Sequence, residues 1–253
     1  MKPRIPFAKA SVNAVIAATL TLATSAAWAE ETGWSYELAP YLWGSGISGT
    51  SSVVSALPPA NVDASFSDIL ENLDAGAMFF GSATKDRFGI MGDLQYVSLS
   101  GAATGSGGLL SGSVENKLLI LSLGGEWIAS RTDTSEVRLI GGVRHWDTET
   151  NIALTVGPSG GTASGSDQWW DAMVGARGRY NLNEKSYLTG VALFGGGGSD
   201  FMADVFAGYG YRLSERTSLV GGFRYLSVDR NDGGFVYDVE QQGVLLGVNF
   251  TFN

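Results

Sequence analysis

His145 is the only histidine in a chain of 253 residues that contains no cysteine. A thiolate nucleophile, a thiolate metal site, a disulfide and a poly-histidine metal site are thereby excluded. One nucleophilic arrangement remains, a serine activated by His145 as in acyl hydrolases. Ser98 and Ser227 are the candidates, but no spacing ties either to His145, and its neighbours Arg144 and Trp146 suit an interfacial histidine among aromatics. The glycine run Gly195–Gly198 is not a phosphate loop, because no Lys-Ser/Thr pair follows it and no helix begins there. Asp229, Asp232 and Asp238 around Gly233-Gly234 miss the ligand spacing of a calcium loop. Asp63, Asp68, Glu71 and Asp74 read in the same way, as solvated acidic residues. The expectation is a protein without catalysis, cofactor or bound metal. With 16 basic residues against 25 acidic, a net charge of −9 and no basic run, nucleic acid is excluded as a partner.

The charged residues gain meaning from the elements that carry them. Ten segments show period-two alternation with aromatic and β-branched residues: 34–44, 74–85, 87–99, 114–128, 135–147, 167–180, 186–196, 199–211, 217–229 and 238–252. In the last, Val244, Leu246, Val248, Phe250 and Phe252 share one face, with Leu245 as the apolar exception on the other. The connections near 85–86, 130–134, 181–185 and 214–216 are short and polar, whereas 45–73, 100–113, 147–166 and 230–237 are longer. Gly196–Gly198 is short where a long connection is due. Short turns at one end and long loops at the other, on an even number of strands, predict a closed antiparallel transmembrane β-barrel of about ten strands. Lipid offers no hydrogen-bond partners, so a sheet crosses it only when closed. A soluble sandwich or lipocalin-like barrel would share the alternation but turn its apolar face inward. Trp34, Tyr36, Trp43, Tyr96, Trp127, Trp146, Trp170, Tyr180, Tyr211, Tyr225 and Tyr237 lie where two interfacial girdles are expected.

Residues 1–29 have the form of an export signal. Lys2, Arg4 and Lys9 precede an apolar run from Ala10 to Ala23, and Ala27-Trp28-Ala29 places small residues before a cleavage point between Ala29 and Glu30. The run is shorter than the ~20 residues of a spanning helix. The expected organisation is a signal peptide, 1–29, and a barrel domain, 30–253, in the bacterial outer membrane.

The segment Trp34-Ser35-Tyr36-Glu37-Leu38-Ala39-Pro40-Tyr41-Leu42-Trp43 resembles the first strand of a family of poorly characterised proteobacterial outer-membrane β-barrel proteins. Phe66-Ser67-Asp68-Ile69-Leu70-Glu71-Asn72-Leu73-Asp74 and Gly222-Phe223-Arg224-Tyr225-Leu226-Ser227-Val228-Asp229 resemble it too. The chain is more loosely similar to small barrels of the OmpW and OmpA type. The resemblance implies a C-terminal aromatic signal for the barrel-assembly machinery, here Phe250 and Phe252, with Asn253 closing the chain. Outer-membrane lipid and lipopolysaccharide are the expected surroundings.

Parity turns Glu37, Asp93, Glu126, Asp171 and Asp204 inward, together with Arg138, Arg144, Arg177, Arg179 and Arg224. A barrel of about eight strands has a lumen that side chains fill, and water-filled channels are typical of 16–18. Opposite charges that pair across the lumen form a plug; the alternative is a narrow polar conduit for a small solute. In the first long loop Phe66, Ile69, Leu70 and Leu73 recur at the spacing of one helix face, with Ser65 or Ser67 as cap, predicting a short helix that covers the barrel mouth or lies on the outer leaflet, the plainer alternative being a loop turn packed against the barrel. Three functions follow as expectations: passage of a small solute through the lumen or a lateral opening, a structural barrel whose loops meet external partners, and a lipid-modifying enzyme that depends on His145.

Overall fold

The computed structural model describes residues 33–52, 59–104, 110–156 and 159–252. The expected signal peptide and its Ala29–Glu30 cleavage point lie outside the described residues. The elements in chain order are β1 (Trp34–Ser52), β2 (Ala60–Ala64), α1 (Phe66–Glu71), β3 (Leu73–Lys85), β4 (Phe88–Thr104), β5 (Leu110–Arg131), β6 (Ser135–Val156), β7 (Ser159–Asn181), β8 (Ser186–Gly197), β9 (Phe201–Arg212), β10 (Thr217–Asp232) and β11 (Phe235–Phe252). All strands except β2 form one antiparallel ring of ten, closed where β11 pairs with β1.

Each expected strand is present, and most run further than the alternation suggested. β5, β6 and β7 have 22, 22 and 23 residues, where a tilted strand needs ~9–11 to cross a bilayer. Much of 100–113 and 147–166, expected as loop, is therefore a continuation of these ladders beyond the membrane. The expected loop at 230–237 contracts to a tight turn on Gly233 and Gly234, whose φ values of 57° and 130° suit glycine.

The faces alternate as a membrane barrel requires. Leu42 is 74% exposed, Ile90 65% and Leu246 62%, and all point outward. Asp93, Glu126, Arg144, Asp204 and Arg224 are buried inside. Trp34, Tyr36, Trp127, Tyr180 and Tyr211 are exposed on the outer face at the short-turn end, where outer-membrane barrels carry an aromatic girdle. Trp43, Trp146 and Tyr237 do not belong to a girdle. They share parity with Tyr41, Arg144 and Val239, and all three are buried in the lumen.

One seam interrupts the wall. The β1–β3 ladder runs from Trp34↔Lys85 to Pro40↔Phe79 and stops. Pro40 has no amide hydrogen to give, and the β1–β11 ladder also skips from Leu38↔Phe250 to Tyr41↔Gly247. Above the seam β1 takes a different partner, β2, through Ile47↔Ala64 to Ser51↔Ala60. Tyr41–Gly46 and Leu73–Met78 thus face each other without a shared ladder. α1 follows β2 and is capped by Ser65: its hydroxyl accepts from the Asp68 amide at 3.3 Å, and its own amide donates to the Asp68 carboxylate at 2.9 Å. The helix ends at Glu71, so Leu73 starts β3 instead of extending the helical face. α1 does not cross the mouth. The Phe66 ring lies against Gly44 on the outer side of β1.

Glycines on the inner wall make room for rings. The Tyr187 ring covers Gly210, and Phe206 spreads over Gly208 and Gly222. Gly210→Ala is expected to lower unfolding free energy by about 1–3 kcal/mol, the usual cost of overpacking. Gly141, where an added methyl meets nothing within 4 Å, is expected to tolerate alanine within about 0.5 kcal/mol. Urea titration of the two variants in lipid vesicles, read by tryptophan fluorescence, measures both.

Hydrogen bonds from the Ser65 hydroxyl and amide hold the exposed Asp68 carboxyl below the usual aspartate range. A depressed carboxylate stabilises above its ordinary pKa and loses that contribution as pH falls through the lowered one. α1 is expected to stay capped until acid protonates Asp68, and Ser65→Ala to raise the Asp68 pKa, both read from its carboxyl resonance in an NMR titration.

Candidate functional site

The lumen contains two ionic layers. Nearest the short turns, Arg177 reaches across from β7 to the facing wall. Its Nη1 donates to Glu37 on β1 at 2.7 Å, and its Nη2 to Glu126 on β5 at 3.1 Å. Arg138 on β6 donates to the same Glu126 oxygen at 2.9 Å, to Thr84 at 2.8 Å and to Glu136 at 2.6 Å. Arg179 stands 3.9 Å from Glu37 and lies over the Tyr187 ring, which Arg212 covers as well.

The middle layer is drier. Asp204 on β9 accepts from Arg144 on β6 at 2.7 Å and from Arg224 on β10 at 2.7 and 2.9 Å. Arg224 continues to Tyr41 Oη at 2.8 Å and to Asp93 at 3.4 Å. Tyr41 donates to Asp93 at 2.8 Å, Gln95 donates to Asp93 at 2.9 Å, and Arg144 donates to Ser122 at 2.8 Å. Two guanidiniums and two carboxylates are fully used in this layer, and it joins β1, β4, β5, β6, β9 and β10. Arg144 and Asp204 are 0% exposed. Charges so far from water persist only when paired and hydrogen-bonded.

A third layer, toward the long-loop end, is aromatic. Trp146 and Trp169 stack at 5.6 Å, and Arg230 lies 4.8 Å over Trp169. Phe235 and Tyr237 meet Trp169 edge-on. Asp171 belongs here and not with the other expected charges. It accepts from Trp146 Nε1 at 2.8 Å and from the amide and hydroxyl of Ser199 at 2.6 and 2.8 Å. That grip explains the short connection between β8 and β9: the turn is tied down inside the barrel wall, where Gly198 leaves space for Trp169.

Every residue of the expected charge cluster therefore faces the lumen, and all except Asp171 join an ionic layer. Tyr41, Gln95, Ser122 and Glu136 complete these layers and were not expected. Tyr41 has the parity of Glu37, which is the signal that places it inside. Arg230, Asp167 and Trp169 were also missed: Arg230 falls in the expected loop at 230–237, whereas Asp167 and Trp169 lie in the expected strand 167–180 with the inward parity of Asp171, which is the signal that places them inside.

His145 faces outward, with its ring tilted against Trp170 at a centroid distance of 4.6 Å. The ladders set it opposite Leu121 and Trp170, whereas Ser98 lies opposite Lys117 and Ser227 opposite Glu240 and Ala203. The structure does not bring His145 together with either serine. Asp229 pairs in the ladder with Asp238, and Asp232 accepts from Arg230 at 3.1 Å. Among the described residues no group of three acidic or histidine side chains is placed to hold a metal.

No family model matches the chain, and no curated protein does. Solved structures do. The outer-membrane protease OmpT of Escherichia coli superposes with a TM-score of 0.53 at 9% identity, over 90% of this chain and 100% of OmpT. The translocator domain of the autotransporter NalP from Neisseria meningitidis gives 0.51 at 13% identity, over 95% of this chain and 97% of that domain. The chain has the fold of a bacterial outer-membrane β-barrel. At these identities the likeness carries the fold and not the activity of either neighbour.

Asp204→Ala leaves two buried guanidiniums without their shared carboxylate and is expected to cost about 3–5 kcal/mol of unfolding free energy. Lys117→Ala removes a half-exposed pair with Glu149 and is expected to cost less than about 1 kcal/mol. Denaturant unfolding of the two variants in one detergent tests the contrast.

Proposed function

We propose that this protein is a non-enzymatic outer-membrane barrel, closed along its axis, that serves as a scaffold for surface-exposed hairpins. The single observation that carries this reading is the middle ionic layer, Tyr41–Asp93–Arg224–Asp204–Arg144, which links facing walls of the lumen with each charge satisfied. A selectivity ring needs charges that exchange partners with a passing ion. These are committed to one another, and Trp146 and Trp169 stack in the lumen above them. The 22- and 23-residue strands β5, β6 and β7 extend past the bilayer at the end where such barrels carry their extracellular loops.

On this reading the chain is exported by residues 1–29 and cleaved before Glu30. The barrel-assembly machinery then reads Phe250 and Phe252, which stand on the outer face beside Leu38 and Tyr36 of β1. Lipid and lipopolysaccharide surround the mature barrel. The reading without catalysis is supported by His145, which faces outward with its ring tilted against Trp170 and is brought to neither Ser98 nor Ser227.

The purified full chain in planar bilayers is expected to be silent, and an Asp204→Ala/Arg224→Ala pair, which removes one charge of each sign, to introduce conductance steps. Steady conductance by the unaltered protein would overturn the axial closure.

A further inference from the structure

Between the two ionic layers lies a chamber of about 150 Å³. One end is bounded by Glu37 and Arg177 and the other by Asp93, Arg144, Asp204 and Arg224. These charged groups are spent on one another. The wall they leave free is mostly carbon, with Phe80, Met91, Val191, Leu193, Phe206 and Leu245. Its polar members are Thr189, Asn249 and the Tyr187 hydroxyl, which has no partner among the described residues. Phe206 lies flat because Gly208 and Gly222 stand beneath it, so the wall recedes where side chains would otherwise fill the lumen. A chamber of this size with a mostly apolar wall suits a molecule the size of one aromatic ring.

The chamber touches the seam. Tyr41 and Phe80 line it, and they flank the last rung of the β1–β3 ladder at Pro40↔Phe79. Beyond that rung the two strands share no ladder, and the Phe66 ring covers the β1 margin from the lipid side. A solute that prefers lipid to water is already concentrated at that outer surface.

We infer that the chamber is a binding site for a small apolar molecule, of about the volume of a monocyclic hydrocarbon, and that the seam between β1 and β3 is its entry from the bilayer. The site goes beyond the scaffold role and is compatible with axial closure, because an uncharged molecule entering beside Tyr41 crosses the barrel wall at the edge of the middle layer and never travels the length of the lumen. Arg224 and Arg177 form the floor and ceiling of the chamber and do not select the ligand.

The probe is fluorobenzene, read by ¹⁹F NMR with the full chain in nanodiscs and with empty nanodiscs as the partition control. A saturable resonance that is absent from empty nanodiscs is expected. It should be lost in Val191→Phe and, independently, in Ala39→Phe, both of which fill the chamber, while circular dichroism confirms the strands. The chain lacks cysteine, so a Leu42→Cys/Ala77→Cys pair bridged by a bismaleimide closes the seam at its lipid face with no competing thiol. The bridge is expected to slow exchange of the bound resonance while leaving equilibrium occupancy unchanged, since a gate alters rates and not affinity. Absence of a saturable resonance overturns the binding site, as does one that survives both filled variants. Exchange unchanged by the bridge overturns the seam as entry. None of these results depends on ion conductance, so the site and the axial closure fail separately.

Discussion

Every amide in the bilayer-spanning part of this molecule must find its partner on a neighbouring strand, because hydrocarbon supplies none. The ring of ten strands meets that demand, and the rest of the structure follows from it. Closure fixes an inside and an outside, and period two then sends alternate residues to each. Leu42, Ile90 and Leu246 are exposed because lipid takes the place of a core. The polar set is left to fill an interior that bulk water barely reaches. Pro40 shows the constraint from the other side. It withholds one donor, and both ladders of β1 break beside it. The chain recovers by giving the upper part of β1 a replacement partner, β2, with α1 packed beside it.

Once ten strands define the lumen, its charges have little choice. An isolated carboxylate or guanidinium in such surroundings costs several kcal/mol. Asp204 avoids that cost by serving two arginines, and Glu126 does so in the other layer. Buried pairs often add no more net stability than an apolar filling of equal volume, but these tie distant strands together. Glu37 on β1 meets Arg177 on β7, across the ring. A shift of one residue in any ladder would move these groups to the lipid face. The ionic layers therefore act on register more than on total stability, and the directional hydrogen bonds of guanidinium to carboxylate suit that task.

Much of this is legible in the sequence. Alternation in 199–211 and 217–229 is enough to place Asp204 and Arg224 on the inner face, and the helical spacing of Phe66, Ile69 and Leu70 marks α1, although the choice of Ser65 over Ser67 as its cap comes only with the Asp68 contacts. What alternation cannot supply is which inward residues meet. Arg144 stands opposite Asp171 in the β6–β7 ladder, yet it turns to Asp204 three strands away. That choice depends on the stagger of strands around the ring, a property of closure and not of any one segment. The aromatic girdle was overextended for a related reason. Nearness to a strand end suits an interfacial tryptophan, but parity overrides it, and Trp146 follows Arg144 inward. The strand ends at 147–166 were hidden by Gly, Ser and Thr, which pair well in a hydrated hairpin although they lack the apolar face by which membrane strands are read.

The lumen is divided around its circumference as well as along its axis. On the β4–β7 side the inward positions carry Asp93, Glu126, Arg138, Arg144 and Arg177, and side chains meet across the space. On the β8–β10 side Gly208, Gly210 and Gly222 lower the wall so that Tyr187 and Phe206 lie flat upon it. The first side fills the lumen and the second holds it open, and the chamber is the volume left between them. The seam begins at the edge of this same space, at Tyr41. A barrel that needed only to be solid would place larger residues at the glycine positions and an amide donor at Pro40. Here the space inside and the break in the wall adjoin, and each results from a residue that withholds something: a side chain in one case, a hydrogen in the other.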